Sequence, residues 1–516
     1  MGAARELVTQ TGWFAEADVK FEDIKKALLS SDLLHASHGE LERFVTGEGR
    51  ELLRSLLQGH LDARSEAVAA GPVVGADGVE RAHVRKDTSR ELTTTVGSVE
   101  VQRPRYEARG VDGLHPTDAE LKLPPRRYSH ELERLMALQA AEVSFEKAMA
   151  FVAEATGVKI PKRQAEELVR AAAQDFDAFY AERDKAAPTS GTDFVVMSVD
   201  QKGVVLRHED LLPATQKKAQ AGRKLETRLT RGEPRARKRM ATVAAVYAIE
   251  PDVRDAASVI AGLRHLKPLS PVQRPRPQHK RVWASLERPM ATVISEMFDA
   301  AERMDPKHER PWLVLVDGDE KLEVAIRREA RARKVEVSIV LDVIHVLQYL
   351  WAAGHKLCPE GTPELESWVL ERFERILKGR ATEVAAGMRR SATKRHLPKH
   401  QRDPIDKAAN YILKRRALMH YDLCLEAGTP IATGVIEGAC RTLINDRLDV
   451  TGARWTLAGA EAVLKLRALA QSRDFDDYWA FRIEREYHRH HASLYADESP
   501  PDVVLSGHKP HLRLVK

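Results

Sequence analysis

The chain has 516 residues, 43% of them hydrophobic, so it can bury a large core and divide into two to four domains. No apolar run reaches the roughly 18 residues of a membrane span, and the start lacks the apolar segment of a signal peptide, so we expect no membrane partner. Three scattered cysteines exclude a disulfide framework and a cysteine-rich zinc site, which predicts a cytoplasmic, bacterial protein.

The net charge of +6 is concentrated in one segment. Residues 217–239 hold ten Lys or Arg and two Glu, a local charge of +8, so the rest of the chain sums to −2. One basic block on a nearly neutral chain favours nucleic-acid contact over a merely solvated loop. The cations that we expect to contact DNA there are Arg235, Arg237, Lys238 and Arg239.

Residues 1–83 are predicted to form a helical N-terminal region that packs or dimerises, because Leu and Phe recur at helical spacing. Segment 84–106 alternates, is rich in Thr and Val, and carries a Gly-Ser turn, which predicts a hairpin. We group it with the helices that follow as a DNA-binding region, residues 84–190.

A helix-turn-helix is predicted within residues 143–172. One helix ends at Gly157, a short apolar turn follows, and a second helix opens with Lys162, Arg163 and Gln164. The start of a recognition helix is where base edges are usually read, so these three side chains are DNA-binding candidates. A plain helical hairpin is the alternative.

After residue 190 the sequence pattern becomes that of alternating strands and helices. We predict strands at 194–208 and 239–251, a helix over 282–304 that is interrupted near Pro289, and a βαβ unit of parallel strands over 312–342. The predicted class is α+β, and the predicted domains beyond the DNA-binding region are a catalytic core at 191–345, a helical insertion at 346–428, final core helices at 429–491 and a poorly ordered tail at 492–516.

Three acidic residues stand where a metal-dependent enzyme would need them. Asp200 and Asp317 are predicted to end strands, and Glu437 lies on the opening turn of a helix. Any one alone is better explained as a turn or a helix cap. If the two strands are neighbours, however, their carboxylates meet at one sheet edge, where sites form in open α/β sheets.

Two further acids compete with Asp317. Asp319 follows the strand and is a natural cap for the next helix, whereas Asp342 ends a strand one place farther away, so we rank Asp317 first. Asp342 and His345 lie one helical turn apart. They either orient the site as a pair behind the ligands or form a helix cap beside a packed histidine.

At these residues the chain resembles the ISKra-type transposases of bacterial insertion sequences, which are Mutator-like DDE enzymes on an RNase H-like fold. The matching strings include SVDQKGV, LVDGDEK, LDVIHVLQYLW, the helix-turn-helix stretch and, most specifically, residues 428–479. The similarity spans most of residues 85–480. Relatives often carry cysteines after the hairpin, and this chain has none there, so no zinc site is carried over.

The resemblance implies a DNA strand transferase whose catalytic, metal-binding residues are Asp200, Asp317 and Glu437, with Asp342 and His345 behind them. It implies two Mg²⁺ ions, for which Mn²⁺ can substitute. The implied partners are the element ends and target DNA, with a homo-oligomer on DNA in the nucleoid. A nuclease without joining activity and a non-catalytic DNA-binding derivative remain as alternatives.

Basic residues after Glu437 are further DNA-binding candidates. Arg441 and Arg447 can hold a phosphate backbone or form salt bridges to Asp446 and Asp449. Trp455 is better explained as a core residue than as a stacking platform. The histidines at 488–491 are better explained as a solvated tail than as a metal site.

Overall fold

The computed structural model describes residues 12–65, 67–183, 193–221, 237–264, 274–450 and 452–505. The chain divides into two compact units. The first unit comprises Met1–Phe179 and Phe475–Lys516, and the second comprises Tyr180–Asp474. Within the described ranges no helix is long and apolar enough to cross a membrane. The domain boundaries given above stay predictions.

The first unit combines helices with short antiparallel strands. Its helices are α1 (Ala15–Leu28), α2 (Ser31–Leu34), α3 (His38–Ala63), α4 (Pro116–Glu120), α5 (His130–Glu142), α6 (Phe145–Thr156), α7 (Lys162–Ala172), α8 (Phe176–Arg183, which crosses into the second unit) and α20 (Phe475–His490). Its strands are β1 (Ala67–Ala69), β2 (His83–Arg85), β3 (Ser89–Thr94), β4 (Gly97–Gln102), β5 (Arg105–Glu107) and β11 (Val503–Leu505).

Two predicted motifs of the first unit form as expected. Strands β3 and β4 pair as an antiparallel hairpin, and its inward residues pack on α3 in a small core of Leu61, Leu92, Val99, Val101 and Leu123. Helix α6 ends at Gly157, whose φ of 75° gives the left-handed cap that favours glycine, and α7 begins after Pro161.

The second unit is built around one sheet. Its strands are β6 (Phe194–Val205), β7 (Lys238–Ile249), β8 (Gln278–Ser285), β9 (Trp312–Val316) and β10 (Ser338–Leu341). Its helices are α9 (Pro213–Ala221), α10 (Ala256–Leu263), α11 (Met290–Met304), α12 (Glu320–Arg333), α13 (Val343–Gly354), α14 (Pro363–Leu377), α15 (Ala381–Lys394), α16 (Lys399–Lys414), α17 (Tyr421–Ala427), α18 (Gly434–Ala439) and α19 (Leu457–Ser472).

The sheet order is β10-β9-β6-β7-β8. Strands β6, β7 and β8 form an antiparallel meander, whereas β9 and β10 run parallel to β6. The sheet is therefore mixed, with an antiparallel half and a parallel half. Together with the helices of α13 to α17 it confirms the predicted α+β class, with a helical insertion between β10 and α18.

Three local predictions were wrong. The segment predicted as one interrupted helix over 282–304 is strand β8 followed by helix α11, whose N-cap is Pro289. Strand β6 covers most of the strand predicted at 194–208, but it continues through Asp200 to Val205, so the expectation that the aspartate ends a strand is wrong. The described part of the predicted tail, residues 492–505, is not irregular, because it contains strand β11, which pairs with β1.

Candidate functional site

Asp200 and Asp317 lie side by side because their strands are neighbours. The last paired residues of the parallel ladder between β6 and β9 are Ser198 and Leu315, and two residues farther along each chain come the two aspartates. Neighbouring strands lie about 4.8 Å apart and residues two apart share a face. The predicted meeting of these acids at one place therefore holds, although Asp200 is in mid-strand.

The loop after β9 is clamped by the helical insertion. Gly318 has a φ of 93°, and an added Cβ would come within 2.6 Å of Arg415 Nε. Tyr411 donates its hydroxyl to the Asp317 carbonyl oxygen at 3.0 Å, and Arg415 Nε donates to the Gly318 carbonyl oxygen at 2.9 Å. The loop that carries Asp317 is thus fixed by residues from nearly a hundred positions later.

Asp319 is the cap that its position suggested. Its carboxylate accepts hydrogen bonds from the backbone N–H groups of Lys321 and Leu322 at the start of α12. It is exposed and does not line the cavity that contains Asp317.

Asp342 is fully buried and saturated with hydrogen bonds. Its carboxylate accepts from the N–H of Ile344 at 3.1 Å, from the N–H and hydroxyl of Thr433 at 3.2 and 2.8 Å, and from His345 Nδ1 at 3.0 Å. It therefore both caps α13 and orients the histidine. The hydrogen bond to Asp342 is the main cause that raises the pKa of His345.

Glu437 lies on α18, the helix that follows the insertion. Thr433 is the N-cap residue of α18, so the same residue that bonds Asp342 begins the helix that delivers Glu437. One ligand atom each from Asp342, His345 and Glu437 lies within 4.8 Å of the others. Glu437 itself is exposed.

A cavity of about 200 Å³ gathers the predicted site residues. Asp200, Asp317, His345 and Glu437 line it, with Lys202, Thr433, Cys440 and Asn445. Lys202 Nζ lies 3.2 Å from Asp200 Oδ2, and Cys440 donates its thiol to the same oxygen at 3.2 Å. Sequence reasoning missed both. Lys202 stands two residues after Asp200 on the same strand face, a signal that was available.

The donor set fits a hard divalent cation. Three carboxylates and a histidine face one small cavity, and oxygen donors are what Mg²⁺ prefers. The carboxylates already attract a cation, since Lys202 lies against Asp200 and its pKa is raised by the neighbouring acidic groups despite burial. The Lys202 side chain is 42% exposed, so it can leave that position when another cation arrives.

The helix-turn-helix candidates lie apart from this cavity in the sequence and belong to the first unit. Lys162 and Arg163 are exposed at the start of α7, where Arg163 Nε donates to Glu167 at 3.0 Å. Gln164 is exposed too, but its amide oxygen accepts a hydrogen bond from the Tyr128 hydroxyl.

The basic block is described only in part. Arg235 lies outside the described residues, and Arg237 is exposed. Lys238 Nζ pairs with Asp449 at 3.0 Å, and Arg239 Nε donates to the Leu286 carbonyl oxygen at 2.8 Å. Lys238 and Arg239 therefore have partners within the protein, which the charge count alone did not predict.

The arginines after Glu437 differ in their surroundings. Arg441 is 77% exposed and lies 3.7 Å from Asp446. Arg447 is buried, and its guanidinium lies 4.7 Å from the Trp455 ring centroid. Trp455 is buried as well and donates to the Leu448 carbonyl oxygen, so its interpretation as a core residue is confirmed.

No protein-family model matches the chain, and no curated protein matches it. Among solved structures, it is similar to one titled the Drosophila P element transposase strand transfer complex. The identity is 9%, the TM-score is 0.24, and the match covers 71% of this chain and 82% of that one. At that distance the likeness says nothing about the activity of this chain.

Proposed function

We propose that this protein is a DDE-type DNA transposase that cuts and joins DNA strands by metal-dependent phosphoryl transfer. The observation that carries the proposal is the cavity where Asp200, Asp317 and Glu437 meet. These carboxylates come from two neighbouring strands and from a helix beyond an insertion of about eighty residues, so their meeting does not follow from local sequence.

Asp200, Asp317 and Glu437 would hold two Mg²⁺ ions, or Mn²⁺ in their place. When bound, such ions stabilise charge on the attacking and leaving oxygens of an in-line displacement. No covalent enzyme intermediate is needed, because phosphoryl transfer depends mainly on positioning and charge stabilisation.

The remaining side chains of the cavity would position the phosphate of the DNA and neutralise negative charge. Asp342 holds His345 Nδ1, which leaves the other ring nitrogen available to a phosphate oxygen, and the raised pKa of His345 favours the cationic ring. Lys202 balances the charge of Asp200 in the free protein and is placed to contact a phosphate when displaced. The DNA partners are the element ends and the target.

The test is cleavage and joining of duplexes that carry the sequences flanking the coding region, in the presence of Mg²⁺ or Mn²⁺. Asp200→Asn, Asp317→Asn and Glu437→Gln should each lower the rate at least about 100-fold, since small displacements of reacting groups already cost that much. Asp319→Asn is the matched control, because it removes an equal charge two residues from Asp317 but outside the cavity.

Three outcomes would change the proposal. Activity retained in Asp317→Asn but lost in a folded Asp342→Asn variant would assign the second ligand to Asp342. Cleavage without joining to a target plasmid would make the protein a nuclease. Absence of any metal-dependent cleavage by the unchanged protein would leave a DNA-binding derivative.

A further inference from the structure

A second cavity in the second unit is strongly basic. This groove has a volume of about 850 Å³ and lies against α18, the helix that carries Glu437. Its cationic lining residues are Arg183, Arg276, Lys280, Arg281, Arg303 and Arg473. Among the described lining residues Asp474 is the single acid, and it is engaged by Arg183 at 2.5 Å and by the Tyr180 hydroxyl at 2.9 Å.

The positive charge is spread along the groove. The six cations come from four separate parts of the chain: the end of α8, the first half of β8 with the residues before it, the end of α11 and the residue after α19. The Arg281 guanidinium lies 3.7 Å from the Tyr180 ring centroid and 4.5 Å from that of Trp283. Distributed charge of this kind suits a linear polyanion better than one compact anion.

The floor of the groove on α18 is formed by glycine. Gly434 and Gly438 are one turn apart, both are exposed, and both line the groove. A Cβ added at either would meet nothing within 4 Å, and neither has a positive φ, so neither packing nor backbone geometry requires glycine. Glycine lowers the stability of a helix by about 1 kcal/mol relative to alanine. We therefore infer that these glycines serve to let a bound group come close to the helix.

We propose that this groove binds the sugar–phosphate backbone of a nucleic-acid strand. The inference deepens the proposed function, since one face of α18 would then contact the strand while Glu437 on the same helix faces the catalytic cavity. The charge of the groove carries the inference, and the glycines explain how the backbone comes close to the helix.

The first test measures binding of fluorescent DNA of scrambled sequence, single-stranded and duplex, across a salt series. The full-length variant Arg276→Ala with Lys280→Ala should bind both more weakly and flatten the salt slope by about 1 for each cation removed. The control is Arg328→Ala with Lys407→Ala, which removes two exposed cations of the same unit outside the groove and should leave the slope unchanged.

The second test separates binding from folding. Gly438→Ala should raise the melting temperature, since it removes a poor helix former, and yet weaken DNA binding several-fold, since the new methyl group enters the groove. Gly387→Ala is the matched control. Gly387 lies within helix α15, and its added Cβ also meets nothing, so this variant should gain stability without any change in binding.

Unchanged DNA affinity in both groove variants would overturn the inference and leave Lys280 as a residue that protects an edge strand. The inference would also be overturned, in favour of a small ligand, if binding of a nucleoside triphosphate depended on Arg276 and Lys280 and binding of DNA did not. Neither outcome depends on the catalytic proposal, which is tested separately by metal-dependent cleavage and joining.

Discussion

Single residues in the site divide into those that hold the fold and those that face the cavity. Asp342 belongs to the first kind, since it is fully buried and accepts four hydrogen bonds. Asp317 belongs to the second, because its carboxylate is partly exposed and accepts from the N–H of Asp319 at 2.9 Å.

Asp342→Ala should therefore lower the free energy of unfolding by about 3–5 kcal/mol, because it leaves the buried donors of Thr433 without an acceptor and removes the partner of the half-buried His345. Asp317→Ala should lower it by less than about 1 kcal/mol. Urea denaturation of both variants measures the difference. If both variants lost equally little free energy of unfolding, Asp342 would contribute little to folding, and its role would lie in the chemistry of the site.

A buried ionic cluster in the first unit makes stability depend on pH. Arg482, which is fully buried, donates to Glu133 at 2.9 Å and to Glu486 at 2.8 Å, and Arg126 and His130 also face Glu486. Burial outweighs the nearby arginine and raises the pKa of Glu133 from 4.5 to about 7.

Because the folded state holds this proton more tightly than the unfolded state, stability should fall as the pH rises from about 4.5 to about 7 and stay low above it. The loss from this group should be at most about 3 kcal/mol. Urea denaturation on both sides of that window measures it, and Glu133→Gln should remove most of the slope. A slope of the same size in the variant would assign it to other groups.

At this scale the sequence predicts the meeting of Asp200, Asp317 and Glu437 more readily than their setting. Adjacent strands are enough to bring Asp200 and Asp317 together, even though Asp200 lies in mid-strand. The contacts of Lys202, Arg239 and Arg447 depend on which side chains face them from distant segments. Charge and spacing do not reveal those contacts, so three cations expected to contact DNA have internal partners or are buried: Lys238, Arg239 and Arg447.

Among the elements, α7 allows the sharpest test of DNA recognition. Lys162→Ala with Arg163→Ala should reduce the preference for element ends over scrambled DNA, because base contacts specify whereas phosphate contacts position. Removing each side chain that bonds a base should cost about 1–3 kcal/mol of discrimination. Competition binding at fixed salt measures it.

The control for α7 is Lys26→Ala with Arg43→Ala, which removes the same charge from exposed positions of α1 and α3. If the α7 variant loses equal affinity for both duplexes, the motif is a helical hairpin that contacts phosphates only.

The elements also show where sequence patterns mislead. Residues 282–304 carry apolar residues at spacings that fit a helix, yet the first part is the edge strand β8, because pairing with β7 decides its structure. Gly157 and the Gly97 turn, by contrast, were predicted correctly, since glycine conformation is a local property.

At the scale of the whole molecule, the two compact units differ in how the chain forms them. The second unit is one continuous segment, whereas the first unit needs α20, whose Tyr478 and Arg482 are fully buried in it. A chain that stops after Asp474 should therefore lose most of the first unit's stability, while residues 180–474 alone should keep the sheet.

Circular dichroism and thermal denaturation of the two truncated proteins measure this. Removal of the buried Tyr478 and Arg482 side chains alone should cost several kcal/mol, about half of the stability of a typical domain. A cooperative transition for residues 1–179 by themselves would contradict the division.

The return of α20 to the first unit has a consequence for how the protein is made. Residues 475–505 leave the ribosome 296 residues after the first unit's opening segment ends at 179. At about 5–20 residues per second, that segment waits roughly 15–60 s for its missing helix. The unit with the helix-turn-helix thus matures last, after the sheet that carries the acids has been synthesised in full.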